Sequence, residues 1–286
     1  MLEHGELKMQ FDLGPLSFMQ DGRKVKQGIR RNFARRAQSY DRHAGMQRLM
    51  AQSLVAVVGE RLAQARRILE IGCGTGYLTS LLRQANGEAR LVALDLDAAL
   101  VAAARRRLGP GAGVSWLVAD GEAPIRGEYD LIIANATFQW FTHPEETLAA
   151  YYRNLAPGGV LAFSTLGPRT FQELAEALNR AARSLNLPVT PPIPAQGFGD
   201  RETWAHRLYR AGFPEARLAR KMVTATFPSV KEFLKALQAT GATNPRPCSI
   251  SPRLLHALIA TYQTGYDRDG AIPVSYEMIW AVAKKY

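Results

Sequence analysis

The sequence predicts an α/β protein, a doubly wound sheet of mostly parallel strands with helices on both faces. Three observations carry that expectation. Short apolar runs alternate with helical patterns from residue 67 onward, a turn with three glycines spaced by single residues follows the first run, and acids or amides close successive runs.

Residues 67–71 are apolar at Ile68, Leu69 and Ile71, which suits a buried parallel strand, and a helical pattern begins at Tyr77. Between them Gly72, Gly74 and Gly76 make a strand-to-helix turn. Glycine suits such a turn because the missing side chain permits positive φ and lets a ligand approach the N–H groups at the helix start. A phosphate-binding P-loop would end in Gly-Lys-Ser/Thr, and a dinucleotide fingerprint would read G-x-G-x-x-G. This turn does neither, and Glu70, two residues ahead of the first glycine, suits a ligand that carries positive charge.

A second apolar run, residues 89–94, ends in Asp95 and Leu96. Asp95 lies about 20 residues beyond the glycines, where nucleotide-binding α/β folds place the acid that grips ribose hydroxyls. The third run, 114–119, ends in Asp120, Gly121 and Glu122, and the fourth, 129–134, ends in Asn135. Each of these taken singly is read equally well as a helix cap. Together they converge on one crevice, because ligands of open parallel sheets bind outside the carboxyl ends of the strands. Residues 155–165 read as a turn into a fifth strand.

After this strand the spacing predicts a helix over 170–186, a proline-rich loop, and a helix capped by Asp200 that runs to Arg210. Strands are expected at 216–227 and 274–283, and the roughly 45 residues between them hold two helical stretches, 230–240 and 252–265. An insertion there would overhang the crevice as a lid, the alternative being a structural appendage. The expected organisation is a disordered extension over 1–22 and a single domain over 23–286. Within that domain, 23–64 form cap helices, 65–227 the ligand-binding core, 228–271 the insertion and 272–286 the last strand.

Composition excludes several classes. The chain has 286 residues and two cysteines, Cys73 and Cys248, far apart and with no C-x-x-C, so neither a disulfide framework nor a metal site is expected. No apolar run approaches the roughly 18 residues of a membrane span, and the first residues lack the basic-then-apolar order of a secretory signal. A cytoplasmic enzyme without a membrane partner is the expectation. The net charge of +11 is partly local: residues 23–48 carry nine Lys and Arg against one acid, Asp41. Apolar and aromatic residues recur there at Ile29, Phe33, Ala37 and Tyr40, so one helix face packs while the arginines stay outside. Such a face suits an acidic partner, or is simply solvated. The five histidines have no acid at a triad-like placement and receive no catalytic role.

The order of Glu70 and the three glycines is similar to motif I of class I S-adenosylmethionine (SAM) methyltransferases. Residues 26–47, "KQGIRRNFARRAQSYDRHAGMQ", resemble the N-terminal helix of the malonyl-[acyl carrier protein] O-methyltransferases of biotin synthesis, the BioC family. The resemblance continues through "NATFQWF", "FSTLGPRTFQEL", "LKALQATGAT" and "IPVSYEMIWAVAKK", and so covers most of the chain from about residue 24. It implies a Rossmann-like class I methyltransferase fold with a seven-stranded sheet, a helical N-terminal cap and a helical lid insertion. It implies SAM as cofactor, with S-adenosyl-L-homocysteine as product, held by Glu70, Gly72, Gly74, Gly76, Asp95, Leu96, Asp120, Gly121 and Asn135. Tyr40, Gln139, Trp140 and Arg35 become candidates for positioning the substrate, with Arg169 and Arg246 as further cations, whereas Phe138 and Phe141 read as core.

The implied partner is an acidic malonyl-acyl carrier protein docking on the basic N-terminal helix and the lid, with no role for nucleic acid. A malonyl carboxylate, with a solution pKa of about 4, is ionised at neutral pH, so the implied reaction needs alignment but no general base. Three alternatives stay open on the residues alone: a free small carboxylic acid as acceptor (aconitate-like), a quinone-like acceptor, or a non-catalytic SAM- or nucleic-acid-binding protein.

Overall fold

The computed structural model describes residues 26–28, 43–123, 125–188, 190–191, 193–239 and 250–286. Tyr40, Arg35, Arg246 and the extension over 1–22 lie outside the described residues. Seven strands form one sheet: β1 (Arg67–Ile71), β2 (Arg90–Asp95), β3 (Val114–Val118), β4 (Tyr129–Asn135), β5 (Leu155–Leu166), β6 (Ala216–Phe227) and β7 (Ile272–Lys284). Their spatial order is β3-β2-β1-β4-β5-β7-β6, with β1 to β5 parallel and β7 antiparallel to both its neighbours. This is the expected doubly wound sheet with its final hairpin. The last strand begins at Ile272, the bound expected for the last segment of the domain and two residues before the apolar run at 274, and the fifth begins at Leu155 itself, because β4 pairs Tyr129 with Leu155 before a register shift.

The helices are α1 (Gly45–Gln64), α2 (Tyr77–Ala85), α3 (Ala98–Leu108), α4 (Pro144–Asn154), α5 (Gln172–Ser184), α6 (Arg201–Arg210), α7 (Val230–Ala239) and α8 (Pro252–Tyr266). Alternation along β4 shows how the sheet is sandwiched. Leu131 and Ile133 pack in the core with α1 and α2, while Ile132 and Ala134 pack in the core with α4 and α6. All four are fully buried, as a parallel central strand covered on both faces requires. Among the described residues no helix is long and apolar enough to cross a membrane.

The insertion after β6 has an apolar core of its own. Val230, Phe233 and Leu234 of α7 and Leu254, Leu258 and Tyr262 of α8 pack against Leu174, Ala177 and Leu178 of α5 and against Ile272 and Val274 of β7. The Glu173 carboxylate, buried on α5, accepts from the Ser275 backbone N–H at 3.0 Å and from its hydroxyl at 2.5 Å, joining this helical layer to the sheet. Phe171, which precedes α5, adopts positive φ (61°) and donates its N–H to the Ser275 carbonyl at 2.7 Å. A non-glycine residue in that region is held there by its surroundings.

On the opposite face the core is aromatic. Phe138 lies flat on Phe163 with centroids 4.2 Å apart and meets the edge of Trp204 at 5.8 Å. Phe138 opens the short 3₁₀ turn Phe138–Trp140 that follows β4, so the same ring that fills the core also sets the position of Trp140. Phe138→Ala should cost about 3 to 5 kcal/mol of stability, read from the midpoint of urea unfolding at constant m-value. A loss under about 1 kcal/mol would mean that the stack does not hold this turn.

Candidate functional site

One cleft of about 820 Å³, open to solvent, lies at the carboxyl ends of β1, β2 and β4. It occupies the position where β1 has β2 on one side and β4 on the other and the chain reverses its winding, which is where open α/β sheets bind ligands.

The glycine turn forms its floor. Gly72 has φ 70°, and a Cβ there would stand 2.3 Å from Thr137 Oγ1, so only glycine allows the turn after β1 to touch the turn after β4. Gly76, with φ 85°, opens α2, and a Cβ there would meet Ala104 of α3 at 2.9 Å. Gly72 and Gly74 line the cleft, whereas Gly76 serves the packing of α2 on α3 and does not.

Asp95 fastens this turn to the end of β2. Its Oδ2 accepts from the Gly74 N–H at 2.9 Å and its Oδ1 from the Asp97 N–H at 3.0 Å. Burial pushes its pKa up to about 6, against the lowering effect of those N–H donors. Leu96 and Asp97 also line the cleft, and Asp97 caps α3 by accepting from Ala99 N at 2.7 Å. The sequence reading did not single out Asp97. Its signal was available, since an acid directly before a helical pattern is an N-cap.

Glu70 departs from expectation. It lies fully buried in β1, does not line the cleft, and neither carboxylate oxygen has a hydrogen-bond partner among the described residues. Burial pushes its pKa up to about 8, against the lowering effect of the neighbouring Thr79 hydroxyl and N–H, and the nearby Asp95 charge acts in the same direction as burial. The Cys73 thiol is pushed up as well, by burial and then by these two carboxylates. The acid expected beside the ligand is thus buried inside the sheet, with Thr79 of α2 as its polar neighbour.

Asp120, Gly121 and Glu122 line the cleft beyond β3. Asp120 Oδ1 accepts from Glu122 N at 2.9 Å, and Gly121 sits so close to β1 that a Cβ would meet Ile71 Cγ2 at 2.7 Å. Asn135 also lines the cleft, but its carboxamide is committed elsewhere. Its Nδ2 donates to the Gln47 carbonyl at 3.0 Å, and its Oδ1 accepts from Ser164 Oγ at 2.6 Å, bracing α1 against β5.

Gln139 requires a similar correction. It does not line the cleft; its Nε2 donates to the Ala136 carbonyl and its Oε1 accepts from Thr165 Oγ1, each at 2.9 Å. It thereby supports Ala136, a non-glycine residue held at φ 52° in the cleft wall. Trp140 lines the cleft as expected, and Phe141, expected in the core, lines it too, with its ring 4.6 Å from Phe138. Phe198, from the proline-rich loop after α5, meets Trp140 edge-on at 5.7 Å. Nothing in its local sequence marked that contact, which depends on how the loop folds back. None of the described residues of the 228–271 insertion lines the cleft.

The donor set suits a nucleoside with an attached positive charge. Side-chain-free backbone lies at the turn, acids stand at two strand ends, and apolar and aromatic walls close the far side. A family model described as a methyltransferase domain matches residues 69–161, from within β1 to within β5. The YcgJ protein of Bacillus subtilis shares the fold with a TM-score of 0.56 at 14% identity, over 82% of this chain and 98% of that one. Haemonchus contortus phosphoethanolamine N-methyltransferase 2, solved in complex with S-adenosyl-L-methionine, does so at 0.55 and 16%, over 87% of this chain and 56% of that one. The fold is the Rossmann-like fold of a methyltransferase domain.

Full-length relatives narrow the class. The malonyl-[acyl-carrier protein] O-methyltransferase of Anoxybacillus flavithermus is 37% identical over 263 residues, covering 89% of this chain and 96% of the relative. The enzyme of that name from Brevibacillus brevis is 35% identical over 268 residues, covering 90% and 96%. The chain belongs to the malonyl-[acyl-carrier protein] O-methyltransferase family.

Burial of Glu70 has a consequence for stability. Its folded pKa of about 8 lies above the unfolded value of 4.5, so the folded state keeps a proton that the unfolded state has lost. The stabilising contribution is complete below about pH 4.5 and is lost as pH rises through 8. Glu70→Gln should therefore leave stability at pH 5 nearly unchanged and raise it by about 1 to 3 kcal/mol at pH 8 in the ligand-free protein. Parallel pH profiles of thermal melting for the two proteins would refute the buried-carboxyl assignment.

Proposed function

We propose that this protein methylates the free carboxylate of a malonyl thioester carried on acyl carrier protein, the step that masks the charge of a malonyl starter for the pimeloyl chain of biotin. The single observation that carries this reading is the near-complete overlap with enzymes of that name, at 30 to 37% identity, by a chain whose strand-end cleft has the acids and glycines a SAM site requires.

Gly72 and Gly74 offer backbone to the methionine portion of the cofactor, Asp95 accepts from the ribose hydroxyls, and Asp120 with Gly121 lies at the adenine end. When bound there, SAM supplies a methyl group on a cationic sulfur, and transfer to the acceptor leaves a methyl ester and S-adenosyl-L-homocysteine. Trp140 and Phe141 exclude water from the acceptor side, and their ring faces favour a cation. No residue need remove a proton, because the malonyl carboxylate is already ionised at neutral pH. Charge is lost as carboxylate and sulfonium neutralise each other, so the pocket gains by low polarity and alignment rather than by a cation on the attacking oxygen. Asp95→Ala should weaken S-adenosyl-L-homocysteine binding by about 1.5 to 3 kcal/mol in calorimetry, and an unchanged affinity would sink the ribose assignment.

The reading also assigns the basic run of residues 23–48 to an acidic carrier protein. Charges at a protein surface act chiefly on association and are screened beyond roughly 8 Å at physiological salt. Side-by-side assays with methyl-labelled SAM should rank malonyl-carrier protein above malonyl-CoA and free malonate, with kcat/KM for the carrier substrate falling steeply with salt. Reversal of Arg30, Arg31 and Arg36 to Glu should lower that kcat/KM at least about tenfold while sparing malonyl-CoA. Preferred turnover of free malonate would overturn the substrate assignment, and equal loss on both thioesters would overturn the docking assignment.

A further inference from the structure

Lys26 differs from the surface arginines expected of its basic run, because its side chain lines the cleft. Its Nζ lies 2.6 Å from Asp120 Oδ2 and 2.6 Å from Glu122 Oε2. The lysine side chain is 20% exposed, that of Asp120 32% and that of Glu122 3%. An exposed pair gains little from such a contact, since water serves both ions nearly as well. Glu122 has lost its water, and two carboxylates that share one site repel each other unless a cation stands between them.

Both carboxylates also hold backbone. Glu122 accepts from Thr142 N at 3.0 Å, from Thr142 Oγ1 at 2.9 Å and from His143 N at 2.5 Å, which orders the start of α4. Asp120 accepts from Glu122 N and, through its main-chain carbonyl, from Ala123 N. One ammonium therefore stitches together three segments far apart in sequence: residues 26–28, 120–123 and 142–143. The stitch crosses the end of the cleft where β3 finishes, beside Phe141 and Gly121.

On the reading that this cleft holds SAM, which the inference assumes, we propose that Lys26 is a clasp over the adenosine end of the site. Its ion pairs to Asp120 and Glu122 hold residues 26–28 against the rim, so that the wall they form stays against bound cofactor or product and slows its release. Lys26 is then a positioning residue that acts through two carboxylates. Its contribution falls on residence time, because truncating one partner of a desolvated, hydrogen-bonded charge pair acts mainly on dissociation. The clasp also accounts for a lysine at this position, since its long flexible stem reaches two acids with one compact charge.

The test uses S-adenosyl-L-homocysteine as probe on the full chain, with stopped-flow displacement for the off-rate and calorimetry for Kd. Lys26→Met should raise the off-rate about tenfold or more with little change in on-rate, and Lys26→Arg should restore it to within about threefold of the wild type. In steady state the effect should fall on KM for SAM rather than on KM for the malonyl thioester, a split that a general loss of structure would not produce. Should Lys26→Met lack a cooperative melt, the milder Lys26→Gln is read in the same way. An off-rate within twofold of wild type in a folded variant overturns the clasp, provided that wild type binds and Asp95→Ala binds more weakly. A wild type that fails to bind the probe overturns the cofactor assignment instead.

Discussion

The pairing of β1 with β2 on one side and β4 on the other is the constraint on which the rest of the structure depends. Because both pairings are parallel, each strand must be followed by a crossover, and at this point the crossovers leave toward opposite faces of the sheet. The turns after β1 and β4 are then brought together at one edge with no helix to cover them. They can meet only because Gly72 has no side chain to strike Thr137. The open space left above that contact is the cleft, and the residues proposed to bind the methionine and ribose portions take their position from these strand ends.

Maintaining such a cleft costs stability, and the cost is visible in the carboxylates. Asp95 is almost buried and raised to about pH 6, yet it is satisfied by two backbone N–H groups that it orders in return. Glu70 is more deeply buried and has no such partners among the described residues. A buried acid is destabilising when ionised, so this position holds a carboxyl that stays protonated up to about pH 8.

The aromatic side of the cleft illustrates a different economy. Phe138 is wholly inside the core, stacked on Phe163, while Trp140 two residues later faces the cleft. A 3₁₀ turn rotates about a third of a circle per residue, so such a short piece can bury one ring and present another. Gln139, between them, turns back to hold the strained Ala136 carbonyl. The insertion carrying α7 and α8 builds a separate core with α5 and meets the sheet at Ile272 and Val274, with the Tyr262 hydroxyl donating to the Pro273 carbonyl at 2.8 Å. The wall that reaches Trp140 comes instead from Phe198 in the loop before α6.

Local chemistry in the sequence was sufficient for the strands, the glycine turn, the helix caps and the strand-end acids. Apolar periodicity and the conformational freedom of glycine are local properties, and β1 to β5 and the cap of α6 stand where they predict. The expected Asp95 and Asp120 reach the cleft for the same reason, because a residue at a strand end goes where the strand goes. Side-chain commitment was not legible in this way. Asn135 and Gln139 look like ligands in the chain but are used up by Gln47, Ser164, Ala136 and Thr165, and Phe141 looks like core but faces the cleft. Lys26 looks like one of nine equivalent cations until residues 94 positions away close on it. What a polar group binds depends on which donors and acceptors arrive from distant segments, and that is decided only when tertiary packing removes water and leaves each group with its nearest partner.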